Sequence, residues 1–516
     1  MKRRHFLKGT TLGAAGLACA SSARANLATF GPRVSSPAGS SRSVSSPVKT
    51  ILSFATEAAH ALEDFDFIRD IALFLTSEKL VGNFHLTGDY ARALKRHGRH
   101  DVVEALRPHE IGYHCNHHGS RPFMPGYLEN QSWDEGVTRW LGYEAPGLAL
   151  VAELMNRRPT YYTTEFSKAP QAIHGATLLG TAMLGYGAVP MREHSAVWFC
   201  NCFIPSVENI VALESFHAPG DREKVARERL DAGVAKQQAA GKDVLRVFLH
   251  SYKYYSEPPH DRLTMTLEIY KDDTMYFEDY PNDWARQPVE RFRASFEMFK
   301  RSIRHHAKQS QFVGMSEYRD GFQPNTGRWL ELPEVDRLAR HLGQAIDAYS
   351  TPEYSISPAE ALGVFARLAR VWSETRQLPS RVFIRNVIGP RAALPADRPA
   401  RQASWADVIA AARWADRDME ISGAIPVEVS LGGAPVGPGQ LLRALLSVYD
   451  ALRRGRPAEQ LSVSGGELPT IAAEPYFQMT TFNRPGLYPV GFTGQNICAI
   501  SKAQSWSWKP AVRRQA

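Results

Sequence analysis

Five cysteines in 516 residues are too few to staple a chain of this length, and such a chain has enough residues to build cores without them. Long hydrophobic runs are missing as well. The one apolar stretch near the N-terminus, Leu12 to Ala20, falls well short of the roughly 20 residues that a bilayer crossing needs, which excludes an integral membrane protein. With 44% hydrophobic and 10% aromatic residues, wholesale disorder is excluded too. There is no acidic excess: 61 Lys and Arg stand against 53 Asp and Glu, a formal charge of +8. Such a balance invites a nucleic-acid or anionic-surface partner until its distribution is considered. Lys2, Arg3, Arg4, Lys8 and Arg24 lie in residues 1–25 with no acid among them, so 61 less these five leaves 56 bases against 53 acids. The basicity is local, and no nucleic-acid partner is expected.

Residues 1–25 have a basic head, a weakly apolar middle and the A-x-A cleavage pattern Ala23-Arg24-Ala25. Arg3-Arg4 followed by Phe6-Leu7-Lys8 resembles the core of a twin-arginine export signal. The resemblance implies the twin-arginine export machinery as a partner and a periplasmic or secreted location. An ordinary secretory signal and lipidation at Cys19 are the competing readings; Gly16 and the downstream A-x-A site weigh against the second. Residues 26–47 are dominated by Ser, Pro, Gly and Ala and read as a linker. Of the remaining cysteines, Cys115, Cys200, Cys202 and Cys498, the Cys200-x-Cys202 pair is spaced more tightly than zinc pairs and follows the apolar run Ala196 to Phe199. Core cysteines are expected there.

From Val48 the hydrophobic pattern alternates in period. Strands are predicted at 48–55, 81–87, 110–114, 160–163, 196–203 and 244–250, and helices at 65–78, 101–106, 133–155 and 171–179. Strands alternating with helices argue for a parallel sheet or a (β/α) barrel, in which function gathers at the C-terminal ends of the strands. Beyond about Arg319 two segments look alike, Ile356 to Leu362 and Val436 to Leu442. Each has a proline at the first helical turn and is followed by a β-rich stretch, at 382–388 and 460–463. The two copies, separated by the Pro/Arg/Ala-rich loop 390–402, predict a compact accessory region.

The densest chemistry is His109-Glu-Ile-Gly-Tyr-His-Cys-Asn-His-His118. It closes a predicted strand and gathers His114, His117 and His118. Two imidazoles four residues apart can meet one cation, for which Zn²⁺ is the default; a solvated histidine loop is the bland alternative.

These blocks resemble the NodB-homology polysaccharide deacetylases. Gly82-Asn-Phe-His-Leu-Thr-Gly88, His109-Glu-Ile-Gly-Tyr-His114 with His118 four on, and Val247-Phe-Leu-His250 occur in the family's order over about Val48 to His250. The resemblance implies an α/β fold, a distorted (β/α) barrel of the polysaccharide-deacetylase type over 48–320; it does not cover the repeats, which read as a smaller α+β C-terminal domain over 321–516. It also implies a divalent metal cofactor, zinc by default, that polarises an N-acetyl carbonyl of a polysaccharide substrate. By position, His114 and His118 would be metal ligands and His250 the general acid, while His117 would face away. The first motif departs from the family: where adjacent aspartates stand at the first strand's end, this chain reads Ser53-Phe54-Ala55-Thr56-Glu57-Ala58. Glu57 is the expected acid, catalytic or metal-binding, with Glu63, Asp64 and Asp66 as alternatives. Arg158 matches part of the family's arginine motif, though a helix-capping role suits it equally; Tyr252 and Tyr254, just after His250, are candidate sugar contacts. Three functions follow: an exported metal-dependent deacetylase, a related barrel acting on another bond, or a catalytically inactive deacetylase-fold protein that binds carbohydrate or serves as a scaffold in the cell envelope.

Overall fold

The computed structural model describes residues 47–56, 62–117, 124–163, 169–183, 194–205, 210–213, 221–251, 254, 288–395, 399–456, 459–466, 468–481 and 491–515. Of the predicted site residues, Glu57, His118 and Tyr252, with the side chain of Glu63, lie outside them.

In chain order the first strands are β1 (Lys49–Thr56), β2 (Asn83–Leu86), β3 (Glu110–Tyr113), β4 (Tyr161–Tyr162), β5 (Ala182–Met183), β6 (Ala196–Phe199), β7 (Cys202–Pro205), β8 (Ile210–Ala212), β9 (Val244–His250) and β10 (Gln311–Phe312). The helices among them are α1 (Leu62–Ser77), α2 (Gly88–Arg96), α3 (His100–Leu106), α4 (Met124–Leu128), α5 (Trp133–Met155), α6 (Pro170–Leu178), α7 (Arg222–Ala239) and α8 (Val289–His306). One sheet runs β5-β4-β3-β2-β1-β9-β8, with β10 also on β1. Its pairings are all parallel. This is an α/β domain, with the antiparallel strands segregated in smaller sheets.

The local sequence explains the elements. Almost every residue of β1, KTILSFAT, is buried, as a central strand covered on both faces requires. Phe54 stacks on Phe84 at 4.6 Å and meets the edge of Phe299 at 6.4 Å, tying β1, β2 and α8 together; each such buried ring contributes about 1.5–3 kcal/mol. Helix α2 opens at Thr87, whose hydroxyl accepts the Tyr90 N–H at 2.9 Å. Helix α5 opens on a capping box between Ser132 and Glu135 and closes at Asn156 in the left-handed region, φ 49°.

The segment read as one strand at 196–203 is instead the hairpin β6–β7. Cys200 and Asn201 form its two-residue turn, at φ 49° and 62°. Such a turn normally announces itself with glycine, and Cys-Asn hid it. Both cysteines are buried, as expected of core cysteines; burial pushes the Cys202 thiol up to about 12.

The C-terminal part repeats a larger unit than the two helices suggest. Strand Arg328–Glu331, helix Leu332–Gln344, a hairpin of Tyr349–Ser350 with Ser355–Ile356, and helix Pro358–Thr375 lead to strand Arg381–Ile384. That last strand pairs antiparallel with the first. The second copy follows the same course: Arg401–Ser404, Trp405–Ser422, the hairpin Val429–Leu431 with Ala434–Val436, Pro438–Arg453, then Gln460–Val463 back on Arg401–Ser404. The four helices share a core that includes Leu338, Leu362, Phe365, Val408, Leu441 and Leu445. The closing strand Lys509–Pro510 returns to pair with β6. Among the described residues, no helix is long and apolar enough to cross a membrane.

Candidate functional site

Because the large sheet is parallel, β1, β2, β3, β4 and β9 present their C-terminal ends along one edge, and register decides which side chains meet there. Ala55 lies opposite His85 on one side and His250 on the other. His85 faces Gly112, and Gly112 faces Tyr161. Residues paired this way point to the same face of the sheet. The His85 ring lies 5.6 Å from His114 and 6.2 Å from Tyr161, and stacks on Phe248 at 5.8 Å. Phe248 in turn meets the His250 ring edge-on at 4.6 Å. Behind it, the Arg246 guanidinium sits 5.1 Å from the Phe248 ring and donates through Nε to Ser53 Oγ at 3.1 Å. Gly112 is the gap that admits Tyr161: a Cβ there would lie 2.2 Å from Tyr161 Cζ.

At the end of β1 stand a methyl group and a hydroxyl, not carboxylates. Ala55 and Thr56 are fully buried, and Thr56 Oγ1 donates to the His85 carbonyl at 2.9 Å. His114 is buried, with Nδ1 3.0 Å from the Thr163 carbonyl; a carbonyl only accepts, so Nδ1 carries the proton. His117 does turn away: its Nδ1 is 2.9 Å from Asp89 Oδ1, which also accepts from Arg92 at 2.6 Å. Asp64 is buried within α1, while Asp66 is exposed and ion-paired to Arg69 and Arg99.

This donor set overturns the expected divalent metal. Among the described residues, no group of three or more His, Cys, Asp or Glu side chains is placed to hold a metal ion, and a zinc site takes three or four protein ligands. The physical reasons are local. Strand β1 ends in Ala55 and Thr56, so its described residues bring no carboxylate to the edge where His114 lies. The neighbouring carboxylates already have partners, Asp89 with Arg92 and His117 and Glu144 with Tyr113 and the Asn116 N–H.

Two predicted substrate contacts lie elsewhere. The Tyr254 ring is buried and stacks on Phe67 at 4.9 Å, and its hydroxyl donates to the Leu213 carbonyl at 2.7 Å. That is core packing. Arg158 precedes β4 and so sits at the opposite edge of the sheet; it donates to the Leu179 carbonyl at the end of α6, a capping role.

Glu144 escaped the sequence reading. It lies on the buried stripe of α5 between Trp140 and Leu148. One carboxylate oxygen accepts the Tyr113 hydroxyl at 2.7 Å and the Asn116 N–H at 2.7 Å. Burial pushes its pKa up to about 7, against the pull of those two donors and of His114 and His117. The post-β3 loop is wedged between two helices: a Cβ on Gly88 would lie 2.3 Å from Asn116 Oδ1, and one on Gly147 would lie 2.5 Å from Tyr113 Oη. A polar residue interrupting an apolar helical stripe was the available signal for Glu144. His85 offered a similar one, as the polar residue between Phe84 and Leu86.

No protein-family model matches this chain, and neither does any curated protein. Solved structures overlay on part of it. A CE4-family pseudoenzyme from Bacillus anthracis aligns at 12% identity and a TM-score of 0.29, over 53% of this chain and 66% of that one. A putative polysaccharide deacetylase from Mycobacterium smegmatis aligns at 12% and 0.31, over 54% and 91%. A family 4 carbohydrate esterase from Streptomyces lividans, in complex with acetate, aligns at 8% and 0.27, over 52% and 91%. Overlap of this extent decides neither the fold nor the function of this chain.

Proposed function

We propose that this protein is an exported, non-hydrolytic carbohydrate-binding protein built on a distorted (β/α) barrel of the deacetylase type, with the C-terminal repeats as an accessory region. The observation that carries the reading is the end of β1: Ala55 and Thr56 stand where a deacetylase-like chain needs a base and a metal-binding acid, and Thr56 is committed to the His85 carbonyl. Hydrolysis of an amide needs water activated by a base or a metal. The residues at this edge are suited to recognition instead. His250, partly exposed at the end of β9, can offer its imidazole to a sugar hydroxyl, and the buried His85 and Phe248 rings pack behind it. Export along the twin-arginine route would place that surface beside cell-envelope glycans.

The test is calorimetric titration of the protein with N-acetylated chito-oligosaccharides. Saturable binding that weakens about tenfold in His250→Ala, with the thermal midpoint retained, is expected. Absence of binding to these glycans, or binding indifferent to His250→Ala, would overturn the proposal.

A further inference from the structure

The two C-terminal copies close their two-stranded sheets in the same register. Leu330 faces Val382 and Trp329 faces Phe383 in the first copy; Ala403 faces Leu461 and Gln402 faces Ser462 in the second. Successive side chains on a strand point to opposite faces. The Leu330–Val382 and Ala403–Leu461 pairs are buried in the shared core, so both copies keep them apolar. The other pair points outward and is exposed Gln and Ser in the second copy. The fold therefore does not require the two rings that the first copy carries there.

Those rings are held in place. Trp329 and Phe383 meet edge-to-face at 5.4 Å and 61°, and the Arg381 guanidinium lies 4.6 Å from the indole. Gly327 makes room for them: a Cβ there would lie 2.4 Å from Phe383 Cζ. Ala400 stands at the matching position of the second copy, where Ser462 replaces the ring. Trp329 nevertheless remains 51% exposed. An aromatic side chain already fixed in its bound conformation loses little freedom on meeting a ligand.

Area and chemistry narrow the occupant. A tryptophan presents roughly 250 Å² at most, so its open half is on the order of 130 Å². A stable protein interface takes about 800 Å² from each partner, far more than this patch provides. Beside the rings stand Arg381 and, directly opposite it on the same outward face, Glu331, a donor and an acceptor whose charges offset. A flat apolar face edged by one donor and one acceptor matches a pyranose, which is apolar across its C–H face and hydroxylated around its rim.

We infer that Trp329, with Phe383 and Arg381, forms a stacking site for one pyranose unit of a glycan on the outward face of the first copy. The class of ligand rests on the glycan recognition proposed above; the site itself uses none of the residues at the strand ends. The experiment is fluorine NMR on the full-length chain labelled with fluorotryptophan, titrated with N,N′-diacetylchitobiose and, separately, with triproline. The Trp329 resonance is the one missing from Trp329→Gln, a substitution that supplies the second copy's side chain and so suits the sheet. That resonance should shift saturably with the disaccharide, in the parent and in His250→Ala alike, and the affinity it reports should fall about tenfold in Phe383→Ser. A Trp329 resonance indifferent to the disaccharide overturns the site; calorimetric binding that persists and depends on His250 would then show the strand-end reading intact. A shift in Trp329 with no effect of His250→Ala on total binding supports the site and refutes the strand ends instead. A shift with triproline but not with the sugar, or with protein concentration alone, would assign the rings to a peptide or to a second copy and overturn the inference.

Discussion

Replacing Glu144 by glutamine changes one buried group whose charge the fold disfavours. The carboxyl titrates near 7 in the folded protein, against an ordinary value of 4.5. Between those values the folded state holds a proton that the unfolded chain releases. Its stabilising contribution is therefore complete below about pH 4.5 and lost as pH rises through about 7. A displacement of that size corresponds to about 3 kcal/mol. Unfolding entropy is about 2.1 cal/mol/K per residue; over the roughly 470 residues of the compact unit beginning at Ser46, about 3 kcal/mol becomes a shift of about 3 °C. Glutamine keeps an oxygen to accept the Tyr113 hydroxyl and the Asn116 N–H, and it cannot ionise. The midpoint of Glu144→Gln minus that of the parent, followed by scanning fluorimetry from pH 4.5 to 8, should therefore rise by about 3 °C across the range. Taking the difference removes the other titrating groups. A flat difference would show that Glu144 titrates normally and that the cluster with Tyr113 and Asn116 is not desolvated as described.

His306, with Nε2 2.7 Å from Thr50 Oγ1, is held neutral by burial, which lowers its pKa to about 4. Its contribution is complete above about pH 6.5 and lost as pH falls towards 4, so His306→Gln should flatten the acid limb of the same profile; an unchanged limb contradicts this. Gly112→Ala drives a methyl into the Tyr161 ring. It should cost about 1–3 kcal/mol, seen as a lower midpoint, together with weaker glycan binding; a neutral substitution would mean that these rings pack more loosely than described. Adding a chelator should leave both the midpoint and glycan binding unchanged, because no metal-holding group exists among the described residues. A drop in either would refute that.

The parallel strands and their helices were legible because buried strands such as β1 and amphipathic helices such as α5 advertise themselves in hydrophobic period. The β6–β7 hairpin was not, since its turn lacks glycine. Within the site, His250 could be placed by chain position at the end of a hydrophobic strand. Tyr254 and Arg158 could not: which edge a residue reaches, and whether a ring turns inward, depends on register and packing that spacing does not encode. The metal reading failed for a related reason. Spacing along one loop brings histidines close in sequence, but the remaining donors must come from neighbouring strands, and β1 ends in Ala55 and Thr56. Glu144 and His85 show the converse, polar groups made important by residues distant in the chain.

The central claim is recognition without hydrolysis, and acetate release tests it most directly. The full-length protein, saturated with an N-acetylated chito-oligosaccharide and supplied with zinc, should bind the glycan while acetate stays at the level of a protein-free control. Acetate accumulating over many turnovers, and abolished by His250→Ala, would contradict the account and restore a catalytic role to the strand ends.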